Sequence, residues 1–490
     1  VVRQMDSKRT LILTHRPAVR DGWFEDFEKI KFEHYQRGCK PRSDGSIPEG
    51  GLGQSFESME KDLLQKGTHY IYFMSIQDLR GSKETGGKFD KNVAIFSTNW
   101  DLVILDEAHE GTQTKLGKAV IAALQKRKPK MLYLSGTPYN ILDQFSGNEI
   151  YTWDYVKEQQ AKEEWSSKHP NVPNPYEGLP RMNIHTYSMG ASFESYKHAE
   201  NDYFDFREFF RVWTGDANTD GGEMPLNAKI GDFVHKEDVH AFLDLLTKDD
   251  PDSNYPFANE LFRGYFQHSF WVVPGVKAAA ALTSMLENHP IFGAFKVVNV
   301  AGDGGKLAAS DLESEHTEET LEDMEKSEAE IKAALAKVKD AIAHNKRTIT
   351  ISCGRLTTGV TVPEWTAVLM LAGSYNTKAA IYMQTIFRVQ SPAKDGTIKH
   401  ECYAFDFAPD RTVTVVNDYL NVARKLEEEK SGQEAQKKEK GHHGDAHGRY
   451  TDSFLHFCPI ISFDGSETKP LETVSFMTKV NRAIADQIYH

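Results

Sequence analysis

The sequence predicts an α/β protein of two parallel-sheet domains, with an inserted connecting region and a helical C-terminal tail. Three observations carry this. Short apolar runs alternate with helix-like stretches twice along the 490 residues, and the alternation lapses between residues 151 and 257. The four runs of the first half all end in polar residues, as parallel strands do where chemistry gathers at their carboxyl ends.

Taken in order, residues 1–150 hold the first domain. Thr10 to Pro17 (TLILTHRP), His69 to Gln77 (HYIYFMSIQ), Asp101 to His109 (DLVILDEAH) and Lys130 to Pro138 (KMLYLSGTP) read as buried strands. KLGKAVIAALQKRK, between the last two, reads as a helix. Residues 151–257 are aromatic and punctuated by proline, which suggests an insertion or connecting region. Alternation returns over 258–412, in His268 to Leu286, Phe295 to Gly304, Thr348 to Ser374 and His400 to Asp410, as a second domain. Inside it, Leu321, Met324, Ile331, Leu335, Val338 and Ile342 recur at helical spacing beside a charged face. Residues 413–490 form the tail, in which 424–449 almost lack large apolar side chains and read as a mobile loop or a solvated helix.

Composition excludes several classes. With 39% hydrophobic and 26% charged residues, the chain is an ordinary globular sequence, and no apolar run approaches a membrane span. A net charge of −13 argues against coating nucleic acid by bulk attraction, though not against a local basic groove. Cys39, Cys353, Cys402 and Cys458 are scattered without paired spacing. That argues against zinc or disulfides and for a reducing cytoplasm.

The chemistry concentrates in DLVILDEAH. An aspartate at a strand end can orient Mg²⁺ through its water shell, and an adjacent glutamate can polarise a water attacking a phosphate. Four apolar residues followed by Asp106-Glu107-Ala108-His109 resemble the acidic motif of superfamily 2 helicases and translocases. Four further motifs match in the family's order: LILTHRP, SGTP, LTTGVTVPEW and QTIFRVQSP. The resemblance spans residues 10 to 392 and implies two RecA-like domains working on ATP, Mg²⁺ and DNA. Its finer form, carried by SGTPYN, IYTWDYVKEQQAKEEW and TIFRVQSP, is to the motor subunits of bacterial type I-like restriction enzymes.

The resemblance also assigns residues. Asp106 would hold Mg²⁺ through water and Glu107 would orient the attacking water, with His109 completing the motif. Gln384 and Arg388 would face the nucleotide, and Gly359 is counted with them. Ser135, Gly136 and Thr137 would couple nucleotide to nucleic acid. Thr14, His15, Arg16, Gln77, Arg80, Thr357 and Thr358 would meet the DNA backbone, which carries no sequence information. Modification or specificity subunits, or fused domains, are the expected partners. No nuclease signature occurs, since FDFAPD lacks a following lysine-bearing strand.

Two departures qualify the match. A phosphate loop, GxxxxGK[ST], is absent: TGGKFD has phenylalanine after its lysine where a hydroxyl is needed, and LGKAV has alanine. Because VVRQMDSKRT resembles the tail of the helix that follows this loop, the loop is expected upstream of Val1, leaving this chain inactive alone. In the sixth motif, Ser391 stands where a second arginine is common, so Arg388 serves alone or the finger comes from elsewhere. An RNA helicase or a degenerate, non-catalytic scaffold are the alternatives.

Weaker signals read as structure. Asp216, Asn218, Asp220 and Gly221 begin a calcium loop, but Asn227 replaces its bidentate glutamate. His442, His443, Asp445 and His447 read as solvated. Trp153, Tyr155, Trp165 and Tyr176 read as core of the connecting region.

Overall fold

The computed structural model describes the chain apart from residues 15–19, 30–34, 40–54, 113, 137, 139–140, 190, 197–203, 221, 250–253, 303–320, 355, 357–359, 374–376, 394–398, 436–444, 465–466, 473–474, 477 and 480–490. Val1–Ser146 with Glu318–Ile331 are grouped in one compact unit, and Gly147–Thr317 with Lys332–His490 in another.

The first unit is a five-stranded parallel sheet: β1 (Arg9–Thr14), β2 (Tyr35–Cys39), β3 (His69–Ser75), β4 (Leu102–Asp106) and β5 (Lys130–Tyr133). Their order is β2-β3-β1-β4-β5. Leu11, Ile12, Leu13, Val103, Ile104 and Leu105 are buried, which explains continuous rather than alternating apolar runs. One face of the sheet is covered by Met59 and Leu63 of the helix Phe56–Lys66 and by Val120 and Leu124 of the helix Lys115–Gln125. Ser55 and Thr114 cap those helices, each accepting a backbone N–H, and Gly67 ends the first at φ 69°. Strand β2, YQRGC, has too little apolar pattern to be read from sequence.

The second unit holds an eight-stranded sheet. Its strands are β6 (Arg181–Tyr187), β7 (His268–Val272), β8 (Lys296–Asn299), β9 (Thr348–Ser352), β10 (Ala367–Met370), β11 (Glu401–Asp406), β12 (Ile460–Asp464) and β13 (Glu467–Pro470). The order is β13-β12-β6-β11-β10-β7-β9-β8, parallel except for β12 with β13. Strand β6 comes from the region expected to be a separate connection, yet it lies between β11 and β12. The tail is helical, over Pro409–Ala435 and Asp445–Phe457, and it also supplies the last two strands. The amphipathic stretch forms the helix Leu321–His344, burying Ala334, Val338 and Ala341.

His185 of β6 packs against the rings of Tyr403, Phe405 and Phe463, at centroid distances of 5.3–5.6 Å, and is largely but not fully buried. Burial pushes its imidazole down to about 4. Polar Asn183, His185 and Thr186 hid this strand from a hydrophobicity reading, although Asn183 and Thr186 are buried.

All four cysteines are free and buried. Among the described residues no helix is long and apolar enough to cross a membrane, and no group of three metal-ligating side chains occurs. The calcium-like turn closes on itself, as Asp220 accepts from the Thr214 and Gly215 amides and the Thr214 hydroxyl.

Candidate functional site

In the first unit, parallel register sets Asp106 beside Thr14 on β1, and Thr14 beside Ser75 on β3. Three strands therefore deliver polar residues to one edge of the sheet. The Thr14 carbonyl accepts the Ile76 N–H at 2.9 Å, which starts the turn Gln77–Leu79 at that edge, with Arg80 capping it.

Asp106 is two-thirds or more buried and each oxygen accepts one bond. The indole N–H of Trp23, on the helix Arg20–Lys29, reaches Oδ2 at 2.7 Å, and the Glu107 amide reaches Oδ1 at 3.0 Å. Burial pushes the carboxyl up from its ordinary value, and these two bonds pull it partway back. Each oxygen keeps a second lone-pair direction, as a carboxylate ordering a metal-bound water requires.

Glu107 adopts the left-handed region, φ 48° and ψ 46°, which is uncommon for any residue but glycine, asparagine or aspartate. The turn is pinned by neighbouring strands: the Ala108 amide donates to the Leu134 carbonyl, and the Leu134 amide to that of Leu105. This bend brings Glu107 Oε2 to 3.4 Å from His109 Nδ1, which lies 2.9 Å from Ser135 Oγ. The acidic motif on β4 and the Ser-Gly-Thr motif after β5 thus touch through His109 and Ser135. Gly136 is exposed. His15, Arg16 and Thr137 lie outside the described residues.

In the second unit, Gln384 sits on the helix Ala379–Ile386 and Arg388 in the 3-10 turn Phe387–Gln390 that continues it. Arg388 Nη1 donates to the Val360 carbonyl at 2.9 Å, and Nε to that of Gln384 at 3.1 Å. The sixth motif is therefore tied to the fifth, at Val360. Thr357, Thr358 and Gly359 themselves lie outside the described residues.

Sequence reasoning missed the group that anchors this helix. Tyr382 donates to Asp406 Oδ2 at 2.9 Å, Thr412 donates to the same oxygen at 2.8 Å, and Arg411 pairs with Oδ1 at 2.6 Å. Arg411 also donates to the Met370 and Ala372 carbonyls. Asp406 and Arg411 are both fully buried. FDFAPDR contained this signal, an acid at a strand end and an arginine one turn into the next helix. Trp23 left none, lying 83 positions from its partner.

One sheet ends β4 in Asp-Glu-Ala-His, and the other carries Gln384 on a helix and Arg388 on the 3-10 turn after it, an arrangement that resembles that of superfamily 2 helicases. Residues 1–140 match the family model described as type III restriction enzyme, res subunit. The chain is 25% identical over 473 residues to "Putative type II restriction enzyme and methyltransferase RM.MpnORF110P C-terminus" of Mycoplasma pneumoniae, covering 84% of this chain and 59% of that protein. The chain thus spans less than two thirds of that relative. Among solved structures, it superposes on "ATP-dependent Type ISP restriction-modification enzyme LlaBIII bound to DNA" at a TM-score of 0.37 and 12% identity, over 99% of this chain and 32% of the other. It superposes on Mss116p bound to ssRNA and AMP-PNP at the same score and identity, over 85% and 62%.

Proposed function

We propose that this chain is the motor portion of a restriction or phage-defence enzyme, coupling ATP hydrolysis to movement along duplex DNA in the cytoplasm. The observation that carries the reading is the carboxyl edge of β4, where Asp106, Glu107, His109 and Ser135 form one connected turn.

The acids fit half of an ATP·Mg²⁺ site. Asp106 retains the lone pairs to hold a hydrated cation, and the lack of a three-ligand cluster among the described residues suits Mg²⁺, which keeps its waters and takes phosphate oxygens. The phosphate cradle is the half without a motif in this sequence. Mg²⁺, when bound, would neutralise charge developing on the transferred phosphoryl group.

The chain's own residues then divide the work. Asp106 orders the cation's water, and Glu107, aimed by its left-handed backbone, orients the attacking water. His109 carries the state of this corner to Ser135, and Ser135, Gly136 and Thr137 pass it towards nucleic acid. Gln384, Arg388 and Gly359 of the second unit answer the nucleotide. His15, Arg16, Gln77, Arg80, Thr357 and Thr358 hold DNA phosphates and sugars without reading bases; Thr14, expected among them, is fully buried between β3 and β4 and is not available to DNA. Modification or specificity functions belong to fused domains or partner subunits.

ATP hydrolysis with and without duplex DNA tests this. This chain, its Asp106→Ala variant and a form extended upstream in the native reading frame are compared. The expected result is turnover stimulated by duplex DNA and abolished by Asp106→Ala, in whichever of the two forms binds ATP. Stimulation by RNA instead of DNA would assign an RNA helicase. An extended form that neither binds nor hydrolyses ATP would leave a nucleic-acid-binding scaffold.

A further inference from the structure

The sixth motif departs from its family pattern at two positions around Arg388: Phe387 stands where glycine is common, and Ser391 where a second arginine is. Both neighbours of Arg388 that differ, or adjoin a difference, are gripped by one element, the helix Tyr155–Lys168. The Tyr155 ring stacks on Phe387 at 5.3 Å and 28°. Three residues on, Glu158 Oε2 accepts the amide of Gln390 at 3.2 Å. Residues 155 and 158 share a helix face, as three-residue spacing requires, and together they bracket the 3-10 turn that carries Arg388.

The grip is itself anchored. The Tyr155 hydroxyl donates to the Phe457 carbonyl at 2.8 Å and accepts the Met182 amide at 2.9 Å, joining the helix to β6 and to the C-terminal helix. Tyr155 is buried, and Glu158, whose carboxyl burial pushes up, gains a donor in Gln390 that favours its ionised form. A phenylalanine in place of glycine adds a ring that needs a flat partner, and the Tyr155 ring is that partner. The helix Tyr155–Lys168 thus compensates in packing for what the motif has lost in pattern.

We propose that Tyr155 and Glu158 are positioning residues for Arg388, setting the pitch of its turn and with it the reach of the guanidinium towards the nucleotide. The inference rests on the reading of Arg388 as a nucleotide-facing residue. It also gives the IYTWDYVKEQQAKEEW stretch a task in ATP hydrolysis: a turn with one arginine in place of two has no second fork to correct a misplaced first.

The test is steady-state ATP hydrolysis by the full-length enzyme, with kcat and KM resolved and thermal unfolding followed alongside. Glu158→Ala and Gln390→Ala are each expected to lower kcat by roughly tenfold with KM little changed, since a misplaced group loses rate rather than ground-state binding. The double variant should be no slower than either single one. Glu158→Gln, which keeps an acceptor for Gln390, should recover most of the rate, and Tyr155→Phe, which keeps the stack, should exceed Tyr155→Leu. In an Arg388→Ala background the effect of Glu158→Ala should vanish.

Persistence of the full Glu158→Ala loss in that background would overturn the proposal, because Glu158 would then act independently of Arg388. A Glu107→Gln arm separates the two failures. Loss of hydrolysis in Glu107→Gln with an unaffected Arg388→Ala enzyme overturns the clamp alone. Hydrolysis unaffected by Glu107→Gln overturns the ATPase reading, and the clamp with it.

Discussion

Trp23 and Asp106 are 83 positions apart in sequence and 2.7 Å apart in the fold, with the indole N–H donating to the carboxylate. This bond favours the ionised acid where burial disfavours it. Trp23→Phe removes the donor, so the Asp106 carboxyl should rise further. The acid limb of the hydrolysis rate should then move to higher pH, read from a pH profile of kcat. A profile that stays in place would separate Asp106 from the rate.

The same carboxyl carries a stability cost with a defined sign. A folded pKa raised above the unfolded value means that Asp106 supports the fold fully below the ordinary carboxylate range. That support is lost as pH rises through the raised value. Asp106→Asn removes the titrating charge but leaves one of the two N–H donors without an acceptor, so it should weaken the dependence of the melting temperature on pH while abolishing hydrolysis. A pH dependence unchanged in that variant would refute the argument.

His109 and Ser135 share one hydrogen bond between the acidic motif and the following Ser-Gly-Thr motif. His109→Ala and Ser135→Ala should each reduce DNA-stimulated hydrolysis by several-fold, and the double variant should cost no more than one of them. Additive losses, measured with saturating duplex DNA, would mean that the two side chains work separately.

The Asp406–Arg411 pair is buried on both sides. Removing one partner strands the other charge away from water, at a cost of about 3–5 kcal/mol. Asp406→Ala should lower the denaturant midpoint of the second unit accordingly, whereas a loss within the error of the measurement would place the pair in contact with solvent.

His185 predicts the pH response of the second sheet. Its folded pKa of about 4 lies below the unfolded value of about 6.5, so its contribution is present above the latter and falls away as pH drops towards the former. Between about pH 7 and pH 5 the loss should be about 2 kcal/mol. Chemical unfolding at both pH values should show it, and His185→Phe should flatten it.

Legibility from sequence followed burial pattern. Strands buried on both faces with uniformly apolar residues, such as β1, β3 and β4, were plain because nothing polar interrupts them. Strands β2 and β6 were not, since Gln36, Arg37, Asn183 and His185 read as loop until partners far along the chain cover them. Asp106, Glu107 and His109 were visible as a motif. Their dependence on Trp23 and Ser135 was not, because contacts between distant elements leave no local trace.

Strand β6 has a temporal consequence. Met182 meets Cys402 across the β6–β11 pairing, 220 positions later, and β12 closes the other side of β6 later still. During synthesis, β6 emerges long before either neighbour exists. The second sheet therefore cannot complete itself as the chain leaves the ribosome, whereas the first sheet has all five strands by Tyr133. Long-range parallel pairing of this kind is slow and leaves hydrogen-bonding edges open in the interval. A nascent or truncated chain ending before β11 would carry β6 as an unpaired strand, a target for chaperones and proteases.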